Sequence, residues 1–97
     1  FKNKKEVLSS AQTNKYESIC KNLNLKEGDS VLEIGCGWGG FAEHAIKTRG
    51  VKLTGLTLSK EQLDYSKKRM FELGMADKSS FLLQDDRDEQ GVYDGVV

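Results

Sequence analysis

Four of the ten glycines in this 97-residue chain fall within six consecutive positions, residues 35–40, in the stretch EIGCGWGG. The residues before them, Val31, Leu32 and Ile34, are apolar and suit a short strand that is buried on both faces of a parallel sheet. The residues after them carry an apolar stripe at helical spacing that begins with Phe41. A buried strand, a glycine-rich loop and a helix in this order predict that backbone approaches a ligand at the carboxyl end of the strand.

Strands and helices alternate through the rest of the chain. The patterns predict helices over residues 9–24, 41–49 and 60–73 and strands over residues 30–35, 52–59, 79–85 and 92–97. Gly50 and Gly74 mark helix ends, and Ser59 with Gln62 reads as a capping box. Such alternation predicts parallel strands with right-handed crossovers. The fold class is therefore α/β, a Rossmann-like doubly wound sheet, present as an N-terminal portion with a leading helix, about four strands and two crossover helices.

The fourth strand, YDGVV, reaches the last residue of the chain. We therefore interpret residues 1–97 as a partial domain. In the doubly wound order the fourth strand lies beside the first, which leaves an apolar edge without a partner strand. We expect this chain by itself to self-associate through that edge.

Composition excludes some classes of function. Fifteen basic and fifteen acidic residues cancel, so the chain has no electrostatic footprint for nucleic acid. A solvated tail explains the basic start FKNKKE as well as a lipid contact does. No apolar run approaches the ~20 residues that span a bilayer. Cys20 and Cys36 lie far apart without metal-ligand spacing, and two lone thiols favour a cytoplasmic location. Cys20 is predicted to lie in the core.

The glycines alone leave the ligand open between a dinucleotide and adenosylmethionine, because Gly35, Gly37 and Gly40 fit the first fingerprint and Gly35, Gly37 and Gly39 the second. Glu33 favours adenosylmethionine, since a carboxylate here repels a pyrophosphate but attracts the cofactor's sulfonium and ammonium.

The second strand gives the same indication. It ends in Thr57, Leu58 and Ser59, without the acid that NAD proteins place on the ribose about 20 residues after the glycines. The predicted cofactor is therefore S-adenosylmethionine. Its ribose hydroxyls would be held by Thr57 Oγ1, by backbone at Leu58 or by the amide of Gln62, which competes with a capping role.

The remaining polar and aromatic residues are assigned either a functional or a structural role, and for Trp38 both stay open. Asp85, at the end of the third strand, is predicted to accept from the adenine amino group, whereas residues 88–89 read as a solvated charge run. Trp38 either walls the cofactor or packs the loop. The single histidine, His44, is predicted on a helix surface, and Tyr16 and Tyr65 on helix faces. Cys36 lacks a basic neighbour in sequence and reads as a small loop residue rather than a nucleophile.

Three motifs together identify a family. VLEIGCGWGGFAEHA, GLTLSKEQL, and LLQDDRD followed by YDGVV closely resemble the cyclopropane-fatty-acyl-phospholipid synthases and their mycolic acid relatives. The resemblance covers the whole chain, including the leading AQTNKYESIC. It implies contacts to adenosylmethionine from residues 31–39 and 57–62, with residues 85–87 flanking adenine. The predicted contacts are Glu33, Gly35, Cys36, Gly37, Trp38, Gly39, Thr57, Leu58, Ser59, Gln62, Asp85, Asp86 and Arg87.

The resemblance also implies an activity. Members of the family transfer a methylene group from adenosylmethionine to a cis double bond of an acyl chain, so the implied partner is an unsaturated phospholipid at the membrane surface, with the protein cytoplasmic or peripheral to the membrane. The base is a bicarbonate held by residues that have no counterpart here, so no catalytic residue is assigned. Asp86 departs from the family, which has an aromatic residue there to cover adenine.

Three alternatives remain open from the sequence. A small-molecule N- or C-methyltransferase would share the same fold. An NAD-binding oxidoreductase would use the same glycines, and a non-catalytic binding module would need no missing catalytic part.

Overall fold

The computed structural model describes residues 4–85 and 91–97 of the chain. Its helices are α1 Lys4–Asn22, α2 Gly40–Arg49 and α3 Lys60–Glu72, with a short 3₁₀ turn at Ala76–Lys78. Its strands are β1 Ser30–Ile34, β2 Lys52–Thr57, β3 Ser79–Leu83 and β4 Gly95–Val96. Each predicted element is present, and its type is confirmed.

The four strands form one parallel sheet in the order β3-β2-β1-β4. The chain first moves outward from β1 through β2 to β3 and then returns to the other side of β1. This reversal is the switch point of a doubly wound sheet, where ligands bind beyond the carboxyl ends of the strands. The predicted fold class is confirmed, and the glycine-rich loop follows β1 at this point.

The core lies between the sheet and the three helices. Val31, Leu53 and Phe81 lie on one face of the sheet and are almost fully buried, together with Ala45 of α2 and Met70 of α3. Gly55 stands in register with both Glu33 and Phe81. A Cβ atom at Gly55 would lie 2.7 Å from Phe81 Cδ1 and 2.8 Å from Cys36 Cβ, so only glycine lets these two side chains meet over β2.

Helix α1 begins earlier than predicted. The basic segment FKNKKE contributes residues 4–6 to α1, because lysine and glutamate are good helix formers. The helix docks through its second half, where Cys20 is buried as predicted and Tyr16, Ile19 and Leu23 pack against the core. Residues 11–15 are exposed, so this part of the helix contributes little to the core.

The helix ends follow the sequence signals with one exception. Gly50 adopts a left-handed φ of 66° and its N–H donates to Ile46 O, as a C-terminal cap does. Ser59 caps α3, since its side chain accepts from the Gln62 N–H. The Gln62 side chain does not return the bond, so the predicted capping box is only half formed. The Ser59 N–H donates instead to Thr57 Oγ1 at 3.1 Å.

Candidate functional site

The glycine-rich loop after β1 depends on left-handed backbone. Gly35 and Gly39 have φ values of 75° and 88°, which side-chain-bearing residues rarely adopt. The N–H groups of Gly35 and Cys36 both donate to Leu56 O on β2 at 2.9 Å. These bonds anchor the loop to the neighbouring strand, so its shape is set by the fold before any ligand arrives.

Helix α3 braces the same loop from the other side. The Ser66 hydroxyl, which is fully buried, donates to Gly37 O at 3.1 Å, and Arg69 Nη1 donates to Trp38 O at 3.1 Å. Arg69 Nε also donates to Glu43 of α2 at 3.1 Å, which ties the loop to the helix that follows it. Sequence reasoning missed Ser66 and Arg69. Their three-residue spacing on α3 was the available signal, because it places them on one helix face.

Glu33 is the buried acid of the site. Its side chain is 8% exposed, and Oε1 has no hydrogen-bond partner among the described residues. Burial raises the pKa of this carboxyl to about 8, since a carboxylate loses its hydration there. A buried carboxylate that has no partner destabilises the folded protein unless a cationic group pairs with it.

A cavity of about 750 Å³ lies beside Glu33. One wall comes from the end of β1 and the loop, with Glu33, Gly35, Gly37 and Trp38. Further lining residues come from α1 and α2, with Gln12, Thr13, Tyr16, Phe41, His44 and Lys47 among them. The contribution of α1 was missed by sequence reasoning, which placed Tyr16 only on a helix face.

Tyr16 connects α1 to the start of α2. Its ring packs edge-on against Phe41 with centroids 5.8 Å apart. A Cβ atom at Gly40 would lie 2.6 Å from the Tyr16 hydroxyl, so the glycine at position 40 gives this tyrosine room. The last glycine of the cluster therefore serves helix packing.

A second cavity of about 510 Å³ lies beyond the ends of β2 and β3. Six predicted cofactor residues line it, namely Gly35, Thr57, Leu58, Ser59, Gln62 and Asp85. Apolar surface comes from Ile34, Leu56 and Leu58. Gly35 lines both cavities, so the two spaces meet at the first glycine of the loop.

The polar groups of this second cavity are linked to one another. Thr57 Oγ1 donates to Gln62 Oε1 at 3.1 Å and accepts from the Ser59 N–H. Because Gln62 accepts through Oε1, its amide nitrogen is the part left to donate to a ligand. Because the Gln62 side-chain oxygen accepts from Thr57, it does not accept from the Ser59 N–H, and the capping box stays half formed.

The remaining predicted residues take different positions. Cys36 is buried, and burial raises the pKa of its thiol to about 11, in accord with a small packing residue rather than a nucleophile. Trp38 is half-exposed, borders the first cavity and packs edge-on against Tyr65 of α3 with centroids 5.3 Å apart. The predicted packing role is thus present, and the contact of Trp38 with the cofactor stays a prediction. Asp86 and Arg87 lie outside the described residues.

His44 differs from its prediction. It was expected on an exposed helix surface, but its side chain is only 14% exposed, with Nε2 lying 3.6 Å from Glu17 Oε1. Helix α1 covers this face of α2, which a reading of α2 alone does not reveal.

Comparison with known proteins places this geometry in a family. The profile of the family described as mycolic acid cyclopropane synthetase matches residues 1–97, the full length of the chain. The chain belongs to this family. A probable fatty acid methyltransferase from Pseudomonas putida is 39% identical over 99 residues, covering 100% of the chain and 25% of that relative. The cyclopropane-fatty-acyl-phospholipid synthase of Escherichia coli is 41% identical over 90 residues, covering 93% of the chain and 22% of that relative.

Not every relative has the same named substrate. A sphingolipid C9-methyltransferase from Komagataella phaffii is 41% identical over 81 residues, which cover 84% of the chain and 17% of that relative. The chain thus spans at most about a quarter of the length of these three relatives.

Solved structures of family members share the fold. The cyclopropane synthase MmaA2 from Mycobacterium tuberculosis superposes with a TM-score of 0.88 at 31% identity, covering 99% of this chain and 34% of that one. The mycolic acid cyclopropane synthase CmaA1, solved in complex with SAH and CTAB, superposes with a TM-score of 0.86 at 28% identity, covering 92% of this chain and 31% of that one.

Within residues 4–85 and 91–97, no helix is long and apolar enough to cross a bilayer.

Proposed function

We propose that residues 1–97 form the adenosylmethionine-binding part of a methyltransferase domain. The observation that carries the proposal is the meeting of two cavities at Gly35, one with a buried carboxyl and the other with an apolar and amide-lined wall. Adenosylmethionine has a matching division. Its amino-acid half is cationic at the ammonium, and its adenosine half is flat and hydrogen-bonding. The complex of CmaA1 with SAH supports this assignment.

Each half of the cofactor has residues suited to it. In the first cavity, Glu33 would pair with the ammonium, and the ion pair would keep Glu33 in its charged form. In the second cavity, Leu58 and Ile34 would flank the adenosine while the Gln62 amide and Asp85 bond its polar edges. Bound there, the cofactor supplies an electrophilic methyl group on sulfur. The braced loop holds the sulfonium region near Gly35, where the two cavities join.

We further propose that the complete protein acts on an unsaturated lipid acyl chain, adding a methylene or methyl carbon at a cis double bond. The relatives named as a fatty acid methyltransferase and a cyclopropane-fatty-acyl-phospholipid synthase support this substrate class. The sphingolipid C9-methyltransferase supports a second candidate, C-methylation of a sphingolipid. Small-molecule methyltransferases share the fold, and so they are a third candidate.

Calorimetry with adenosylhomocysteine and with NAD tests the cofactor. We expect binding of adenosylhomocysteine and none of NAD, because only adenosylhomocysteine carries an ammonium group that can pair with Glu33. Preferential binding of NAD would overturn the proposal and restore the oxidoreductase alternative. Binding of neither ligand would support the non-catalytic module.

The substrate needs a separate assay on the full-length protein that contains this chain. Labelled adenosylmethionine is offered with vesicles of unsaturated phospholipid, vesicles of saturated phospholipid and vesicles that contain sphingolipid. Label in the unsaturated phospholipid alone would support the fatty-acyl assignment. Label in the sphingolipid alone would replace it with the second candidate.

A further inference from the structure

A second cluster of chemically active side chains lies between α1 and α2. Glu17 and Cys20 stand three residues apart on α1 and share one helix face, and His44 faces them from α2. One carboxylate oxygen, the thiol sulfur and one imidazole nitrogen all lie within 4.8 Å of one another. Among the described residues, this is the one group of three such side chains with that proximity.

The burial of the cluster suits ligation. Cys20 is 1% exposed, and the His44 side chain is 14% exposed with Nε2 lacking a hydrogen-bond partner among the described residues. A buried imidazole nitrogen without a partner loses free energy that a bound ion would restore. His44 also lines the first cavity, so the cluster borders that space.

The donor types select a class of ion. Thiolate, imidazole and carboxylate together favour Zn²⁺ and similar transition-metal ions over Mg²⁺ or Ca²⁺, which prefer oxygen. Tetrahedral Zn²⁺ with bonds of about 2.0–2.3 Å needs donor atoms roughly 3.5 Å apart. Separations of up to 4.8 Å therefore require the donor atoms to approach one another by up to about 1.3 Å.

We propose that Glu17, Cys20 and His44 form a binding site for Zn²⁺ or a chemically similar divalent transition-metal ion that joins α1 to α2. The three side chains supply three ligands, and water completes the fourth position. On binding, the Cys20 thiol gives its proton to solvent and the sulfur bonds the ion. Through His44 the ion site borders the first cavity, but its test measures ion binding and does not require a bound cofactor.

Arg49 is the competitor of this site. Its Nη2 lies 2.5 Å from Glu17 Oε1, so in the ion-free protein a guanidinium already neutralises the carboxylate. An ion must displace Arg49, and this cost weakens the apparent affinity. Removing the guanidinium should therefore strengthen ion binding, the reverse of what removing a ligand does.

The test is a titration of the purified chain with Zn²⁺ in competition with a chromogenic chelator, repeated with Co²⁺ to record thiolate-to-metal absorption. We expect one ion per chain and a cobalt spectrum with sulfur ligation. Cys20→Ser and His44→Gln should each weaken Zn²⁺ binding at least tenfold, and Arg49→Met should strengthen it severalfold. Cys36→Ser is the matched control, because it removes the other buried thiol and should leave both readouts unchanged.

Two results would overturn the site. One is an absence of Zn²⁺ binding in the folded wild type at micromolar concentrations. The other is equal loss in Cys20→Ser and Cys36→Ser, which would indicate unspecific thiol binding. Circular dichroism checks that each variant folds. If Cys20→Ser fails to fold, Glu17→Gln replaces it, since Glu17 is half-exposed and its loss spares the core. Unchanged Zn²⁺ affinity in folded Glu17→Gln would then exclude the carboxylate as a ligand.

Discussion

At the scale of single residues, Glu33 links proton binding to ligand binding. Its pKa of about 8 means that the empty site is largely uncharged at pH 7, whereas a bound ammonium requires the carboxylate. The affinity for adenosylhomocysteine should therefore increase by up to about tenfold per pH unit between pH 6 and 8. Calorimetry in buffers of different ionisation enthalpy should detect a proton released on binding. An affinity that does not change with pH would remove Glu33 from the ammonium contact.

The variant Glu33→Gln extends this prediction. It keeps the shape of the side chain and removes the charge, so affinity at pH 8 should fall about tenfold to a hundredfold. The difference from wild type should shrink toward pH 6, where the wild-type residue is protonated as well. A loss of equal size at both pH values would point to the shape of the site rather than its charge.

The same residue affects stability with the opposite dependence on pH. Between the ordinary pKa of 4.5 and the native value of about 8, the folded state holds a proton that the unfolded state has lost. Stability therefore falls as pH rises through this window. From pH 5 to pH 8, the wild type should therefore lose on the order of 3 kcal/mol more unfolding free energy than Glu33→Gln, which has no titrating group at this position. Urea unfolding at both pH values measures it, and parallel stabilities would contradict the buried, unpaired state of Glu33.

At the scale of elements, α3 acts on the loop through Ser66. Replacing Ser66 with alanine removes the bond to Gly37 O and leaves that carbonyl without this donor. We expect a loss of about 1 kcal/mol in stability and a severalfold loss in affinity for adenosylhomocysteine. Ser80→Ala on β3 is the control, because Ser80 is exposed and far from the loop in sequence. Equal effects in the two variants would show that α3 does not brace the loop.

The elements also show how far sequence reasoning reaches. Local signals sufficed where one residue type decides a conformation, as at Gly50, whose left-handed backbone ends α2. They failed where a side chain has two available hydrogen-bond partners. The Gln62 side-chain oxygen accepts from Thr57 Oγ1 and does not accept from the Ser59 N–H as a capping box requires.

The site shows the same limit. The position of Glu33 and Gly35 beside the first cavity could be predicted, because both lie at or next to the glycine-rich loop in sequence. Tyr16 and Ser66 reach it from two helices, and helical spacing identifies a shared face without identifying what that face meets. His44 was misjudged for the same reason, since burial by α1 depends on tertiary packing.

At the scale of the whole molecule, β4 is a sheet edge with β1 as its one neighbour among the described strands. Ile34 and Val96 are 44% and 52% exposed on neighbouring strands. We expect this 97-residue chain to associate through that edge and to transfer no methyl group to lipid, since it spans at most about a quarter of its three compared relatives. Light scattering after size exclusion and an assay with unsaturated vesicles measure both.

A pair of variants makes the edge prediction specific. Val96→Lys places a charge on the edge strand and should shift the chain toward monomer. Val92→Lys adds the same charge at a residue that is 95% exposed and outside the strands, so it should leave the association unchanged. A monomeric wild type, or equal effects of both lysines, would contradict association through β4.

The meeting of the two cavities at Gly35 has a consequence for affinity. A ligand that fills both spaces is bivalent, so docking one half raises the effective concentration of the other to the millimolar range or above. Adenosine and homocysteine supplied as separate molecules should therefore bind weakly. We expect the association constant of adenosylhomocysteine to equal the product of the two fragment association constants multiplied by this effective concentration. Any side chain at position 35, where φ is 75°, would strain the backbone at the point where the two cavities meet. It should therefore weaken the binding of adenosylhomocysteine more than it weakens the binding of either fragment alone.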